Sequence, residues 1–569
     1  MTTAPTIATL CDAVDSAPMM AHLTEFARRT KLSGSPSELQ SFAYLQSCLE
    51  DYGLQTKLIK HEAYISLPGP ARLEVGDETP NCITHSFSQQ SRPGGVGGSL
   101  VYVGQGRQAD FDAADVRGRV AVLEGIANPA ASLRASQAGA LGQLHISPHD
   151  HLHEMCISPV WGSPTPDRVD LLPKTVVLSV RKSTGERIKA RLAAGDALDA
   201  VLHAQVDTGW RETPILQADL NAGSPGVEDH FVMFSGHHDT WYLGVMDNGG
   251  ANATMLEVAR LFAPHRGVLR RGLRLMFWSG HSHGRYTGST WYADTHWDEL
   301  ARRCAAHVNV DSTGAKGNTI LSDASSSAEL TELAAEAVRE QGGQGLAGHR
   351  MSRAGDQSFW GIGVPSLFMG MGEQPAGAEN PMAAIFGGGS DRKGAGFGWW
   401  WHTPDDTLDK MDPELLARDT RVYVHALWRL LTDAVLPLDY RAQAQSLGRE
   451  LLALEKDLGG RLDLAPLAAR VETLEQLAAT RGRDAAAANR ALVAVSRALV
   501  PMDYTTGDRF DHDPALSQLP YPVLDPIRRL AATRASTDAS RFATVAARRA
   551  LNRLSFAVDE ANTIFAQIS

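Results

Sequence analysis

The stretch Phe231–Arg260, FVMFSGHHDTWYLGVMDNGGANATMLEVAR, constrains this chain more than any other. An apolar run closes at Ser235-Gly236, a His-His-Asp cluster follows at once, and Asp247 sits in a Gly/Asn-rich turn ahead of an apolar-periodic segment. That order predicts strand, loop and helix. In open α/β sheets, ligands collect outside the carboxyl ends of the strands, which places His237, His238, Asp239 and Asp247 where a site is expected. Imidazole and carboxylate together suit zinc or a similar divalent ion, and a carboxylate has two oxygens with which to bridge two ions.

Three later segments complete the pattern: LRLMFWSGHSHGRYTGSTWYA (Leu273–Ala293), HVNVDSTG (His307–Gly314) and WWWHTPDDTLDKMDP (Trp399–Pro413). The last two add Asp311 and His402 to the potential ligands. With these residues in this order, the chain resembles the co-catalytic zinc metallopeptidases of the aminopeptidase and glutamate carboxypeptidase II type, whose shape the transferrin receptor shares. The resemblance implies that Asp247 bridges two metal ions, that His237 and Asp311 complete one of them, and that His402 belongs to the other. It also gives Asp239 the task of orienting His237 through its far nitrogen.

One departure stands out. After the apolar strand, the family places two consecutive glutamates, the first a general base and the second a metal ligand. This chain has Ser279-Gly280-His281-Ser282-His283-Gly284, without a carboxylate. Counting forward from Trp278 aligns His281 with the base and Ser282 with the ligand. Counting back from Gly288-Ser289 aligns Ser282 with the base and His283 with the ligand. Histidine serves as a base near neutrality, so His281 is expected as base or proton shuttle. His283 is expected as the replacement ligand, both facing one cavity if the segment is extended. Exchanging carboxylate for imidazole removes a negative charge, so the second ion should bind more weakly; zinc is expected, as one or two ions, with manganese or cobalt as alternatives.

A chain of 569 residues exceeds a single hydrophobic core. Residues 1–65 and 212–435 read as the catalytic domain, with strands at Phe231–Phe234, Leu273–Trp278, Ala306–Asp311, Thr319–Leu321 and Val364–Met369 alternating with amphipathic helices. Ser33–Glu38 reads as a turn and helix start, capped by Ser35 or Ser37, with no chemical role. Residues 66–211 carry short strands and Gly-rich punctuation. VRGRVAVLEG followed by an Ala/Gly-rich helix resembles the protease-associated domain that such carboxypeptidases insert into the catalytic domain. Its HISPHDHLHE segment is read as a polar loop that lines the cleft if the insert packs as in the family. Residues 436–569 are helical by composition and resemble the family's helical, homodimer-forming domain. The fold class expected is therefore α/β: a mixed-sheet zinc-peptidase catalytic domain with a β-rich insert and a C-terminal helical domain.

The Gly-rich run Phe386–Gly398 carries Arg392 and Lys393, read as partners for a substrate carboxylate. A formal charge of −11 with dispersed basic residues argues against nucleic acid. The five cysteines form no C-x-x-C pair, and there is neither a secretory amino terminus nor an apolar run of spanning length, so a cytoplasmic protein away from membranes is expected. The function expected is hydrolysis of a peptide or amide C–N bond in a small molecule or short peptide. The competing readings are a non-catalytic scaffold of the transferrin-receptor kind and a lyase-type proton abstraction by His281.

Overall fold

The computed structural model describes residues 5–224, 228–377, 392–479 and 484–568. Two long strands organise it: β1 (Gln55–Val75) and β7 (Asp199–Leu220) run antiparallel from Gln55 opposite Asp219 to Val75 opposite Ala200. Between them in sequence lie β2 (Cys82–Thr84), β3 (Val96–Gly104), β4 (Val120–Glu124), β5 (Gly142–Ile146) and β6 (Val176–Val180). One end of β7 pairs with β3, from which β4, β5 and β6 continue in parallel, and β2 closes that edge antiparallel to β6. Leu73, Val120, Leu144, Leu178 and Leu202 fill the core of this smaller sheet. The ribbon thus passes uninterrupted through residues 65/66 and 211/212, where the sequence changes character.

The other end of β7 pairs with β9 (Gly272–Trp278), which lies parallel to β8 (Phe231–His237), itself parallel to β10 (Cys304–Asn309). Short β11 (Ser325–Ser326), β12 (His349–Arg350) and β13 (Ser366–Leu367) finish the sheet, β13 running parallel to β10. Every residue of β8 is buried, as a central parallel strand covered on both faces requires. The helices Ala251–Phe262 and Pro413–Thr432 cover one face, over Val232 and Phe234, and Thr287–Thr295 and Trp297–Arg303 the other, where Tyr292 and Leu300 pack with Phe231 and Met233. Thr319–Leu321 forms no strand: Ile320 alone bridges to Glu373, after a Gly317 turn at φ 76°. The expected strand Val364–Met369 contracts to two residues, because Phe368 turns to φ 59°.

Among the described residues, five α-helices, Tyr440–Leu458, Ala465–Ala478, Ala485–Tyr504, Asp525–Ala532 and Asp538–Ala566, make the C-terminal region. Its buried apolar cluster is continuous with that of the main sheet, from Phe234 and Leu275 to Leu447 and Phe565. Arg497 fastens the join by donating to the carbonyls of Ala301, Gly363 and Cys304. None of the described helices is long and apolar enough to cross a membrane. Because β8, β9 and β10 are parallel, their carboxyl ends meet at one edge, and the polar segments that follow each strand meet there too.

Candidate active site

His237 is the last residue of β8. Its Nδ1 donates to the main-chain carbonyl of Asp239 at 2.8 Å, so the Nε2 lone pair points into the site. Nε2 stands 3.0 Å from Oδ1 of Asp247 and 3.7 Å from Oδ2 of Asp311. Asp247 lies in the turn between β8 and the helix Ala251–Phe262, and the Asp247–Asn248 peptide bond is cis. The main-chain N–H groups of Met246 and Asp247 donate to the Asp406 carboxylate at 2.8 and 3.0 Å. The other oxygen of Asp247 is 3.0 Å from Nε2 of His402. His402 in turn donates from Nδ1 to the carbonyl of Glu154 at 2.7 Å, while its own carbonyl accepts from the Glu154 N–H. A loop of the smaller sheet therefore aims a side chain of the larger one.

Both histidines are thus fixed in the tautomer whose Nε2 accepts, and both face carboxylate oxygens. Two opposed lone pairs repel unless a cation or a proton lies between them. His237 Nε2 and Asp247 Oδ1 are accordingly buried without a hydrogen-bond partner among the described residues. The donor set of two imidazole nitrogens and aspartate oxygens suits zinc and its neighbours. Burial works against a charged His237, yet Asp247 and Asp311 outweigh it and hold its pKa well above the usual range.

His281 joins this group. Its ring stacks on that of His237 at 3.7 Å, and donor atoms of His237, His281 and Asp311 all lie within 4.8 Å of one another. Its Nδ1 is 2.8 Å from Oδ2 of buried Asp356, whose Oδ1 accepts from Ser289 Oγ at 2.7 Å. The extended conformation expected for this segment does not form. His281–Gly284 is one helical turn, in which residues two apart point to nearly opposite sides. His283 is consequently turned away: its Nδ1 meets Ser33 Oγ at 2.9 Å, its ring packs on Trp241 at 4.3 Å, and it stands outside the three-donor cluster.

Residues 216–427 match the sequence profile of peptidase family M28. Over that stretch the chain is similar to the M28 peptidases. Over 560 aligned residues the chain is 23% identical to the probable glutamate carboxypeptidase AMP1 of Arabidopsis thaliana, covering 81% of this chain and 74% of that one. Among solved structures it resembles a peptidase M28 precursor from Shewanella amazonensis, with a TM-score of 0.60 at 16% identity over 76% of this chain and 97% of the other. It also resembles BSAP, a zinc aminopeptidase from Bacillus subtilis, with a TM-score of 0.55 at 17% identity over 74% and 96%. Those likenesses establish the fold, and the family match makes the chain a metallopeptidase-type hydrolytic enzyme.

Further groups surround these site residues, Ser33 and Asp406 among them with tasks that the sequence does not reveal. Ser33, in the turn read as having no chemical role, donates to Asp239 Oδ2 at 2.7 Å. Asp239 also accepts from the main-chain N–H of Ser282 at 2.9 Å and of His281 at 3.3 Å, so its carboxylate positions the His281 turn, while its carbonyl positions His237. Burial opposes charge on Asp239, but His283, His237 and His281 hold its pKa well below the usual range. Burial pushes Asp406 up to about 7 against the lowering effect of its two main-chain donors. Ser35 rather than Ser37 caps the following helix, accepting from Glu38 N–H at 3.1 Å. Arg392 is taken up by Glu373 and, at 3.6 Å, by Asp323, and the Lys393 carbonyl accepts from Ala376 N–H. Phe386–Asp391 of the Gly-rich run lie outside the described residues.

The histidine-rich loop has a definite role in this geometry. His153 meets the Trp401 carbonyl through Nδ1 at 2.5 Å, its Nε2 lies 2.9 Å from that of His149, and His151 stacks on Trp399 at 4.0 Å. Together with the Glu154 contacts, it clasps the segment that carries His402.

Proposed function

We propose that this chain hydrolyses a peptide or related amide bond in a short peptide or small molecule, with His281 acting in place of the family's glutamate base. The reading is carried by one observation: buried Asp247 lies between the accepting nitrogens of His237 and His402, 3.0 Å from each. His237, Asp247, Asp311 and His402 would hold a divalent metal, most simply zinc. When bound there, such an ion polarises the scissile carbonyl and makes water a nucleophile at neutral pH.

The chain's own groups do the rest. Asp356 holds the proton on His281 Nδ1, leaving Nε2 to take a proton from the attacking water and return it to the departing amine. Asp239, held by Ser33, keeps the His281 turn in register with His237. His283 is kept as a ligand of a second ion only through its partnerless Nε2, and the weaker second site follows from the missing carboxylate. Residues 66–211 would form a protease-associated-like insert walling the substrate, and residues 436–569 a dimerisation domain, whose exposed Phe542 and Phe556 would face a second copy. Placement in the cytoplasm belongs to the same reading, as does substrate contact by Arg392 or Lys393.

The test is depletion with a chelator followed by readdition of zinc, manganese or cobalt, assayed on dipeptides, N-acyl amino acids and simple amides. Activity should disappear and return, and full turnover by metal-free protein would refute the reading. A second reading, a scaffold without catalysis, is favoured by the absence of any carboxylate from Ser279 to Gly284. It predicts that metal-loaded protein cleaves none of the panel. His281→Gln separates base from ligand: lost turnover with unchanged metal content marks the base, and lost metal marks a ligand.

A further inference from the structure

Trp161 belongs to the loop between β5 and β6, yet it ends a hydrogen-bond chain that starts at His281. Its Nε1 lies 2.9 Å from Ser358 Oγ, and Ser358 Oγ lies 2.9 Å from Ser289 Oγ. Ser289 Oγ is 2.7 Å from Asp356 Oδ1, and Asp356 Oδ2 is 2.8 Å from His281 Nδ1. Trp161, Ser289, Asp356 and Ser358 are each at most 3% exposed, where an unmade hydrogen bond is costly.

The chain has one direction. An indole N–H donates and never accepts, so Ser358 Oγ is the acceptor at that end and sends its own proton onward. Ser289 Oγ is the nearer target at 2.9 Å, against 3.3 Å for Thr290 Oγ1, whose own proton goes to the Tyr286 carbonyl at 2.8 Å. Ser289 chooses between the Asp356 carboxylate at 2.7 Å and the Tyr286 carbonyl at 3.2 Å, and the shorter, charge-assisted bond prevails. Every proton in the chain therefore points towards Asp356, whose second oxygen is left to take the Nδ1 proton of His281. Linked in this way, each bond polarises the next.

The loop that supplies Trp161 is closely seated. Gly162 has φ of 76°, and a Cβ there would stand 2.7 Å from that of Thr290, so only glycine lets the backbone lie this near. The Gly162 N–H donates to the Arg285 carbonyl at 2.7 Å, Ser163 Oγ meets Thr287 Oγ1 at 2.7 Å, and the Pro159 carbonyl accepts from Ala515 N–H at 2.8 Å. The Trp161 ring packs on Tyr286 at 4.5 Å and carries the Arg353 guanidinium 4.4 Å from its centre, while Tyr286 lies edge-on to His281 at 4.8 Å.

We propose that Trp161 is a positioning residue for the reaction: by donating to Ser358 it fixes the direction of the chain, keeps Asp356 an acceptor towards His281, and so holds the imidazole with its proton on Nδ1. A loop of the smaller sheet then decides which nitrogen of His281 is free to act as base. The inference rests on the hydrolase reading above and deepens it.

The test removes one donor at a time. Placing β-(3-benzothienyl)alanine at position 161 keeps the shape of tryptophan and puts sulfur where the N–H was. Ser358→Ala and Ser289→Ala cut the chain nearer to Asp356. With zinc-loaded protein on the dipeptide and N-acyl amino acid panel, kcat should fall about threefold to tenfold for the position-161 variant, about tenfold to a hundredfold for Ser289→Ala, and by an intermediate factor for Ser358→Ala. KM and metal content should stay near wild type. Nitrogen-15 spectra of histidine-labelled, zinc-loaded protein read the tautomer directly, the His281 signals being those missing from His281→Gln. Wild type should carry the proton on Nδ1, and the variants a growing share of the opposite tautomer in the order of their loss of kcat. An unchanged His281 spectrum in the position-161 variant overturns the proposal, and so does a raised KM with wild-type kcat, which would make Trp161 a wall of the substrate site. If wild type cleaves nothing in the panel, the hydrolase reading falls, while the spectra still decide the chain: a shifted tautomer in the position-161 variant supports it, and an unshifted one rejects it.

Discussion

The carboxylate of Asp356 stands 2.8 Å from Nδ1 of His281, and its second oxygen is held by Ser289. An ionised carboxylate only accepts, so the imidazole proton is fixed on Nδ1 and Nε2 is left free. Asp356→Asn keeps the shape but offers an amide that can donate, which admits the opposite tautomer. Turnover should fall by about 10²- to 10⁴-fold. Metal content and melting temperature should stay near wild type, and the pH–rate profile should move with the altered imidazole. Unchanged kcat would remove Asp356 from the mechanism.

Asp247 answers a different question, because it touches both accepting histidines. Asp247→Asn leaves one oxygen and removes the charge that offsets a dication. Metal affinity, followed by competition with a coloured chelator, should drop by at least about tenfold to a hundredfold, with hydrolysis lost in parallel. Retention of wild-type affinity would show that the ion is held elsewhere.

That His237, Asp247, Asp311 and His402 meet is legible in the sequence because they lie in the segments after apolar strands or in a Trp-rich turn, and parallel strands bring such segments to one edge. The carboxyl ends of β8, β9 and β10 do this here. The His281–His283 segment was misread for a physical reason: three polar residues carry no period, so nothing distinguishes an extended run from a single helical turn, and the two conformations send the side chains to opposite sides. Ser33 and Asp356 were illegible as partners, since each contact spans far more sequence than any local pattern, 206 residues for Ser33 with Asp239 and 75 for His281 with Asp356. Asp406 sat within a segment already singled out, but its task of receiving the Met246 and Asp247 N–H groups needs the fold to be visible.

If His402 is a ligand as proposed, the clasp between the smaller sheet and the His402 segment would make metal binding depend on residues that are not themselves ligands. His153 holds the Trp401 carbonyl, and Glu154 brackets His402. His153→Ala should leave the ligands themselves in place but loosen the aim of His402, weakening metal affinity by about tenfold. The expected pattern is a raised metal requirement for activity, with normal kcat at saturating metal. A change in kcat alone would place His153 in contact with substrate instead.

Glu329 is expected to give the join between the main sheet and the helical region a pH-dependent stability. It is buried beside the start of the helix Tyr440–Leu458, where its carbonyl receives the Asp439 N–H, and neither carboxyl oxygen finds a partner among the described residues. Burial raises its pKa from 4.5 to about 7. A folded-state pKa above the unfolded one means that the native state holds the proton more tightly. Stability from this group is therefore complete below about pH 4.5 and falls as pH rises towards 7, where the loss levels off at about 3 kcal/mol. Glu329→Gln is neutral at every pH and nearly the same shape. Its melting temperature should match wild type below about pH 4.5, exceed it increasingly between about pH 5 and 7 and keep a constant margin above that, without altering hydrolysis. A gap that does not widen between about pH 5 and 7 would mean that the Glu329 carboxyl does not hold its proton in the folded chain.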